Sequence, residues 1–117
     1  MSLYKGVFVC KKNEFDLTKG CVWNIYTNFE ATFWIGDYVN DFHLIRIKDN
    51  MQAFYLEDLK RLALDMINKN FDIEGQDREY YKNYFNDDNF LKFMNNYGHV
   101  FLDLYNNANK DTDWVVF

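Results

Sequence analysis

The sequence predicts an α+β fold, in which two or three helices pack on one face of a mainly antiparallel sheet. Three observations lead to this prediction. The 117 residues are enough for one hydrophobic core but not for two. Short runs of β-branched and aromatic residues lie toward both ends of the chain, with helical patterns between them. The regular alternation of strand and helix that builds a parallel sheet is absent. We therefore treat residues 1–117 as a single α+β domain.

Four strands are predicted in the first 48 residues. Residues 4–10 are rich in Val and Phe and end at charged residues. Residues 21–26 and 31–35 are short aromatic and β-branched runs, separated by four residues that suit a turn. Residues 42–48 place two apolar side chains on each face of an extended strand. These four segments are expected to form the first part of the sheet.

Two helices are predicted in the middle of the chain. From Phe54 to Ile67, apolar residues recur at steps of three or four positions, as they do in an amphipathic helix. Acidic residues near its beginning and a lysine near its end suit the helix dipole, and residues 68–70 are expected to close it. A second helix is predicted over residues 77–85.

A third helix and a hairpin are predicted for the last thirty residues. Asp87 or Asp88 is a suitable N-cap for this helix, and Gly98 is a suitable residue to end it. Residues 99–105 and 113–117 are both rich in apolar and β-branched residues and flank a polar loop. They are expected to pair as a terminal β-hairpin.

Composition narrows the classes of function. Aromatic residues make up 21% of the chain, so the core must be built largely from rings. Residues 1–70 hold nine basic and nine acidic side chains, whereas residues 71–117 hold four and nine, which accounts for the whole net charge of -5. A chain with a pI of about 4.9 lacks the basic surface that direct nucleic-acid binding requires. An acidic chain favours a cationic partner.

Location and redox state are predicted from what the sequence lacks. It contains neither the apolar run of roughly 18 residues needed to cross a membrane nor a signal-peptide core near its start, which predicts a cytoplasmic protein without a membrane partner. In that compartment Cys10 and Cys21 are expected to be reduced, buried thiols on the two arms of a hairpin. A disulfide between them is the alternative.

Catalytic and cofactor motifs have little support. The single serine, Ser2, lies in no nucleophile elbow, and the five glycines are isolated, so no phosphate-binding loop is predicted. Asp37 and Asp41, near Lys48, resemble a magnesium site in composition but not in spacing. A catalytic Cys-His pair would need two strands to bring a thiol and an imidazole within hydrogen-bond reach. A zinc site would lack the close paired spacing of metal ligands. The candidates for both sites are Cys10, Cys21, His43 and His99. We predict no catalytic residue, no cofactor and no metal.

The strongest functional signal is the segment 72–88. It holds six acidic and two basic residues, interleaved with four aromatic rings. One interpretation is a solvated helix surface with its connections. The other is a protein-binding surface, because tyrosine supplies large contact area and carboxylates attract and pair with a cationic partner. The predicted partner-binding residues are Asp77, Glu79, Tyr80, Tyr81, Tyr84, Asp87 and Asp88.

The string Asp77-Arg78-Glu79-Tyr80-Tyr81 resembles the binding helix of the immunity proteins that neutralise colicin-type nucleases. In overall character, a small acidic chain with few motifs, the sequence is similar to immunity proteins of contact-dependent and polymorphic toxin systems. The colicin DNase immunity proteins are all-helical and shorter, so only their mode of contact is carried over. The resemblance implies stoichiometric binding to a basic, nuclease-type toxin, with Tyr80, Tyr81 and Tyr84 as anchors.

Three alternatives remain open at the level of sequence. A phage-encoded inhibitor of a bacterial defence nuclease would use the same acidity as a nucleic-acid mimic. A structural subunit of a larger assembly would associate with itself, and the sequence does not set the oligomeric state. A small enzyme or ligand-binding domain would need a pocket with titratable groups. The candidates for that pocket are His43, His99, Asp37 and Asp41.

Overall fold

The chain forms a five-stranded antiparallel sheet with four α-helices, which confirms the α+β prediction. The computed structural model describes residues 4–12, 17–48, 51–72 and 78–117. Within these ranges the strands are β1 (Tyr4–Lys11), β2 (Leu17–Asn24), β3 (Ile45–Lys48), β4 (Met51–Phe54) and β5 (Asp113–Val116). The helices are α1 (Phe29–Asn40), α2 (Leu56–Ile67), α3 (Arg78–Tyr81) and α4 (Asp88–Asn107), and a short 3-10 helix spans Ile25–Thr27.

The last strand in sequence is the central strand of the sheet. The strand order is β2-β1-β5-β4-β3, so β5 lies between the β1/β2 pair and the β3/β4 pair. Val115 lies opposite Val9 of β1, and Val116 lies opposite Ala53 of β4. Because β5 has a neighbour on both sides, its four residues hold the two halves of the sheet together.

The helices pack on one face of this sheet. Alternate strand residues, among them Val7, Phe54 and Val115, point toward the helices and join one large cluster with the buried side chains of α1, α2 and α4. The opposite face carries a smaller cluster, which in the described part of the chain contains strand residues only. Its members are Phe8, Cys10, Ile45, Ala53, Trp114 and Val116.

Helix α1 replaces the strand predicted over residues 31–35. The side chain of Asn28 accepts a hydrogen bond from the backbone N–H of Ala31 at 2.9 Å and caps the helix. Beyond the cap, Trp34 and Tyr38 repeat at the helical spacing of four and are buried. Residues 31–35 alone are rich in β-branched and aromatic side chains, which favours a strand. The helical spacing of the buried residues becomes apparent only when the pattern is followed to residue 39.

Helix α4 replaces the first strand of the predicted terminal hairpin. It begins after Asp87, as predicted, but it continues through Gly98 to Asn107 and includes residues 99–105. Gly98 is buried against α2: a Cβ atom built on it would lie 2.9 Å from Cγ1 of Ile67 and 3.2 Å from the carbonyl oxygen of Ala63. Gly98 therefore allows α4 to pack closely against α2, and it does not end α4 as predicted.

The remaining predictions fall close to observed elements. Strand β1 contains residues 4–10, α2 lies inside the predicted helix, and β5 lies inside residues 113–117. Residues 42–48 contain β3, which begins only at Ile45, and the strand predicted at 21–26 is the end of β2 followed by the 3-10 helix. Part of the helix predicted over 77–85 is present as α3, which is followed by turns, and residue 77 lies outside the described residues.

Both cysteines are free thiols in the sheet. The register pairs Cys21 with Val7 and Cys10 with Leu17, so the two thiols lie on the arms of one hairpin but not opposite each other. Burial raises the pKa of both thiols, and Asp113 adds to the effect at Cys10. A raised pKa keeps a thiol protonated and poorly nucleophilic, which suits a structural role.

Gly36, in the middle of α1, has surroundings unlike those of Gly98. A Cβ atom built on Gly36 meets nothing within 4 Å. Because alanine has the higher helix propensity and needs no extra space there, Gly36→Ala is expected to raise the free energy of unfolding by about 1 kcal/mol. Urea denaturation of the two proteins measures this difference. A loss of stability would show that the position is crowded.

The buried Tyr38 makes stability sensitive to alkaline pH. Its hydroxyl donates to Oδ2 of Asp65 at 2.6 Å, and burial together with this carboxylate raises the pKa of Tyr38 well above its usual value of 10. The unfolded chain therefore releases this proton at a lower pH than the folded chain, and stability is lost as the pH rises above about 10, by at most about 1.4 kcal/mol per pH unit. Tyr38→Phe is expected to flatten this decline in denaturation curves recorded between pH 8 and 11.5. An unchanged slope would contradict the assignment.

Candidate functional site: an acidic and aromatic surface

The outer side of α1 carries a row of exposed aromatic rings. Tyr26 precedes the helix, and Phe29 and Phe33 lie one helical turn apart on the side away from the core. Their ring centroids are 4.8 Å apart for Tyr26 and Phe29 and 5.7 Å apart for Phe29 and Phe33. Each of the three side chains is at least 39% exposed. Large rings in contact with each other and with solvent are typical of a surface that binds a partner.

The segment 78–88 is attached to α1 through Tyr81. This side chain is only 2% exposed, and its hydroxyl donates to Oδ2 of Asp37 at 2.5 Å. Its ring packs against Phe85, with 6.5 Å between the ring centroids. The expected anchoring role of Tyr81 is therefore corrected: the side chain belongs to the core and positions the segment, but offers almost no area to a partner.

Tyr80 and Tyr84 lie on the outer side of the same segment. Tyr80 is 49% exposed, and its ring centroid lies 6.2 Å from that of Tyr84. The negative charge of the nearby Glu30 carboxylate on α1 is the largest of several influences that raise the pKa of the Tyr84 hydroxyl. Glu30 therefore lies close to Tyr84.

We group these residues as one surface, which we call the acidic-aromatic surface, because Glu30 adjoins Phe29 in sequence and lies close enough to Tyr84 to raise its pKa. Four of the seven large hydrophobic side chains that are exposed in the described part of the chain belong to it. Carboxylates lie among the rings, which gives the surface both contact area and negative charge. Its members are Tyr26, Phe29, Glu30, Phe33, Glu79, Tyr80, Tyr84 and Asp88.

The predicted acidic residues differ in how far they are available to a partner. Glu79 and Asp88 are exposed. Asp87 is also exposed, but its Oδ1 accepts a hydrogen bond from the backbone N–H of Phe90 at 2.9 Å and caps α4. Asp77 lies outside the described residues. Glu79 and Asp88 are therefore the predicted acids best suited to test partner binding.

The α1 half of the surface was missed by sequence analysis. Phe29 and Phe33 follow each other at a spacing of four, and Glu30 lies between them. This pattern indicates one helix face only if Asn28 is recognised as an N-cap. The strand predicted at residues 31–35 places Phe33 in the sheet and Phe29 in the preceding turn, so the two rings do not share a face in that prediction.

The residues considered for enzymatic chemistry do not form a cluster. His43 stacks on Tyr55 with 5.9 Å between the ring centroids, whereas His99 is exposed on α4. Asp37 is bound by Tyr81, and Asp41 caps the end of α1. Among the described residues, no group of three or more His, Cys, Asp or Glu side chains could hold a metal ion.

Comparison with known proteins adds no relative. No protein-family model matches the sequence, and neither a curated protein nor a solved structure is significantly similar to the chain. The helices in the described part of the chain are too short or too polar to cross a membrane. The function is therefore argued from the residues and the surface that they form.

Proposed function

We propose that this protein is an immunity protein, which binds a cognate, basic, nuclease-type bacterial toxin in the cytoplasm and neutralises it by stoichiometric protein binding. The observation that carries this proposal is the acidic-aromatic surface. It combines exposed rings and carboxylates from two elements, α1 and residues 79–88, which come close to each other at Glu30 and Tyr84. A surface of this kind suits a protein partner of opposite charge.

The rings supply the contact area in this proposal. Phe29, Phe33 and Tyr80 project into solvent, and they replace Tyr81 as the anchors of the interface. Aromatic side chains that become fully desolvated at the centre of an interface typically dominate its binding energy. Tyr84 lies beside Tyr80 and close to Glu30.

The carboxylates supply the attraction. A nuclease binds phosphates with lysine and arginine side chains, so its nucleic-acid cleft is positively charged. Glu79 and Asp88 flank the rings and are exposed, which allows them to steer and pair with such a cleft. The resemblance of residues 77–81 to the binding helix of nuclease immunity proteins implies the same type of partner, although only Tyr80 of the two adjacent tyrosines is exposed.

Affinity capture tests the proposal. The tagged protein is used to capture its partner from source cells at low salt and then at high salt. We expect a basic protein in a ratio of one to one, with an affinity that falls as salt rises. A captured protein that is acidic, or capture that is insensitive to salt, would contradict the proposal.

Charge reversal is expected to slow association with the captured partner. Glu79→Lys combined with Asp88→Lys should lower the association rate constant about tenfold at low salt, because steering depends on long-range charge. The matched control is Asp103→Lys combined with Asp111→Lys, which changes the net charge equally at exposed positions outside the acidic-aromatic surface. Surface plasmon resonance measures both rate constants. If both double variants lower the association rate constant equally, the net charge of the protein and not the acidic-aromatic surface determines association.

A further inference from the structure

A cleft with a volume of about 440 Å³ lies between α1 and one end of the sheet. Three aromatic rings line it: Phe33 from α1, Phe54 from β4 and Phe117 after β5. Lys5 at the start of β1 contributes a charged side chain, and Gln52 contributes an amide. Clefts of this size, apolar with a few polar groups, are the usual binding sites for small molecules.

Gly36 forms part of the cleft lining from the middle of α1. A glycine at such a position weakens a helix, and the space where its Cβ would lie is open. At Gly98 the neighbouring helix explains the glycine, but no neighbour within 4 Å explains Gly36. The missing side chain leaves room that an occupant of the cleft can use.

Lys5 is the charged group of the lining that lacks a carboxylate partner. Its Nζ lies 5.7 Å from the centroid of the Phe117 ring. Within the described ranges, the one ion pair shorter than 4 Å joins Arg61 and Asp58. Asp37, which also lines the cleft, already accepts the hydroxyl hydrogen of Tyr81. Asp37 keeps its negative charge in this hydrogen bond, so the cleft offers rings, one carboxylate and one ammonium group, that of Lys5, for which no salt bridge is seen within the described ranges.

We propose that this cleft is a binding site for a small aromatic carboxylate. The ring of the ligand packs among Phe33, Phe54 and Phe117, and its carboxylate pairs with the ammonium group of Lys5. A planar aromatic body matches a site lined by three rings, and a charge-assisted hydrogen bond sets its orientation. The cleft shares Phe33 with the acidic-aromatic surface, but ligand binding in it requires no toxin partner.

Two matched probes test the proposal in the full-length protein. Naphthalene-2-carboxylate carries the ring and the charge, and 2-naphthalenemethanol carries the ring without the charge. In an NMR titration the carboxylate is expected to bind saturably and to shift the amide signals of Gly36, Phe54 and Phe117. The alcohol is expected to bind at least tenfold more weakly.

Variants outside the acidic-aromatic surface locate the site. Lys5→Met should weaken the carboxylate at least tenfold and leave the alcohol unchanged, whereas Gly36→Leu should abolish binding of both by filling the cleft. Lys60→Met is the control, because Lys60 also lies over a ring, that of Tyr105, at 5.5 Å. Thermal unfolding checks that each variant is folded.

Three results would overturn the proposal: no saturable binding of the carboxylate, equal binding of the alcohol, or unchanged binding in a folded Gly36→Leu variant. Capture of the protein partner uses neither Lys5 nor Gly36. Failure of this ligand site and failure of the proposed function are therefore separate outcomes.

Discussion

Replacement of Gly98 by leucine is expected to lower the free energy of unfolding by about 3 kcal/mol, the upper end of the usual cost of overpacking. The new side chain would have to enter the contact between α4 and α2, where even a Cβ atom would lie 2.9 Å from Ile67 and 3.2 Å from the backbone of Ala63. Either the helices separate or the side chains of α2 leave their rotamers. Urea denaturation followed by circular dichroism measures the loss.

Gly36→Leu is the matched control for this result. It places the same side chain at a glycine that is also in the middle of a helix, but where the structure has open space. We expect this variant to be at least as stable as the wild type, because leucine also has a higher helix propensity than glycine. If both variants lose a similar, large part of the free energy of unfolding, the loss comes from placing leucine in a helix and not from crowding at Gly98. That result would contradict the close approach of α2 and α4.

Removal of the exposed rings is expected to reduce affinity for the captured partner about a hundredfold. The triple variant Phe29→Ala, Phe33→Ala and Tyr80→Ala removes the proposed anchors of the interface. The loss should appear mainly as faster dissociation, since short-range packing acts after the encounter. A hundredfold change corresponds to about 2.7 kcal/mol of binding free energy. Surface plasmon resonance separates the two rate constants.

The control for this variant removes three other exposed side chains. Tyr4→Ala, Val22→Ala and Tyr55→Ala act on residues that are also exposed but lie outside the acidic-aromatic surface. These substitutions should leave both rate constants within about twofold of the wild type. If the control variant loses as much affinity as the first, the partner binds elsewhere.

Local patterns were sufficient for much of the fold. Strand β1, helix α2 and strand β5 each have a short, consistent pattern of apolar residues, and local preference agrees with the final structure. The two large errors share one cause. In α1 and in the second half of α4, β-branched and aromatic residues favour a strand locally, but helix packing against the core determines the result.

The position of β5 could not be predicted from local sequence. Residues 113–117 look the same whether they pair with a neighbour in sequence or are inserted between β1 and β4. Residues 99–105 belong to helix α4 and therefore do not pair with β5 as the predicted hairpin requires. Strand order of this kind depends on contacts between residues far apart in the chain.

The candidate site was predicted in part. The acidic and tyrosine-rich segment indicated a surface, and Glu79, Tyr80 and Asp88 are exposed there. The exposed Tyr80 and the buried Tyr81 could not be told apart from the sequence, because adjacent tyrosines differ only in which side of a short helix they occupy. Tyr81 is buried in the core cluster, and its hydroxyl donates to Asp37, which lies 44 positions away.

The most direct test of the proposed function is a growth assay with the captured partner. The captured partner, expressed alone in bacteria, should stop growth. Coexpression of the wild-type chain with this partner should restore growth. The variant without Phe29, Phe33 and Tyr80 should fail to restore growth, whereas the control variant at Tyr4, Val22 and Tyr55 should succeed. A partner that does not affect growth, or equal protection by both variants, would contradict neutralisation of a toxin through the acidic-aromatic surface.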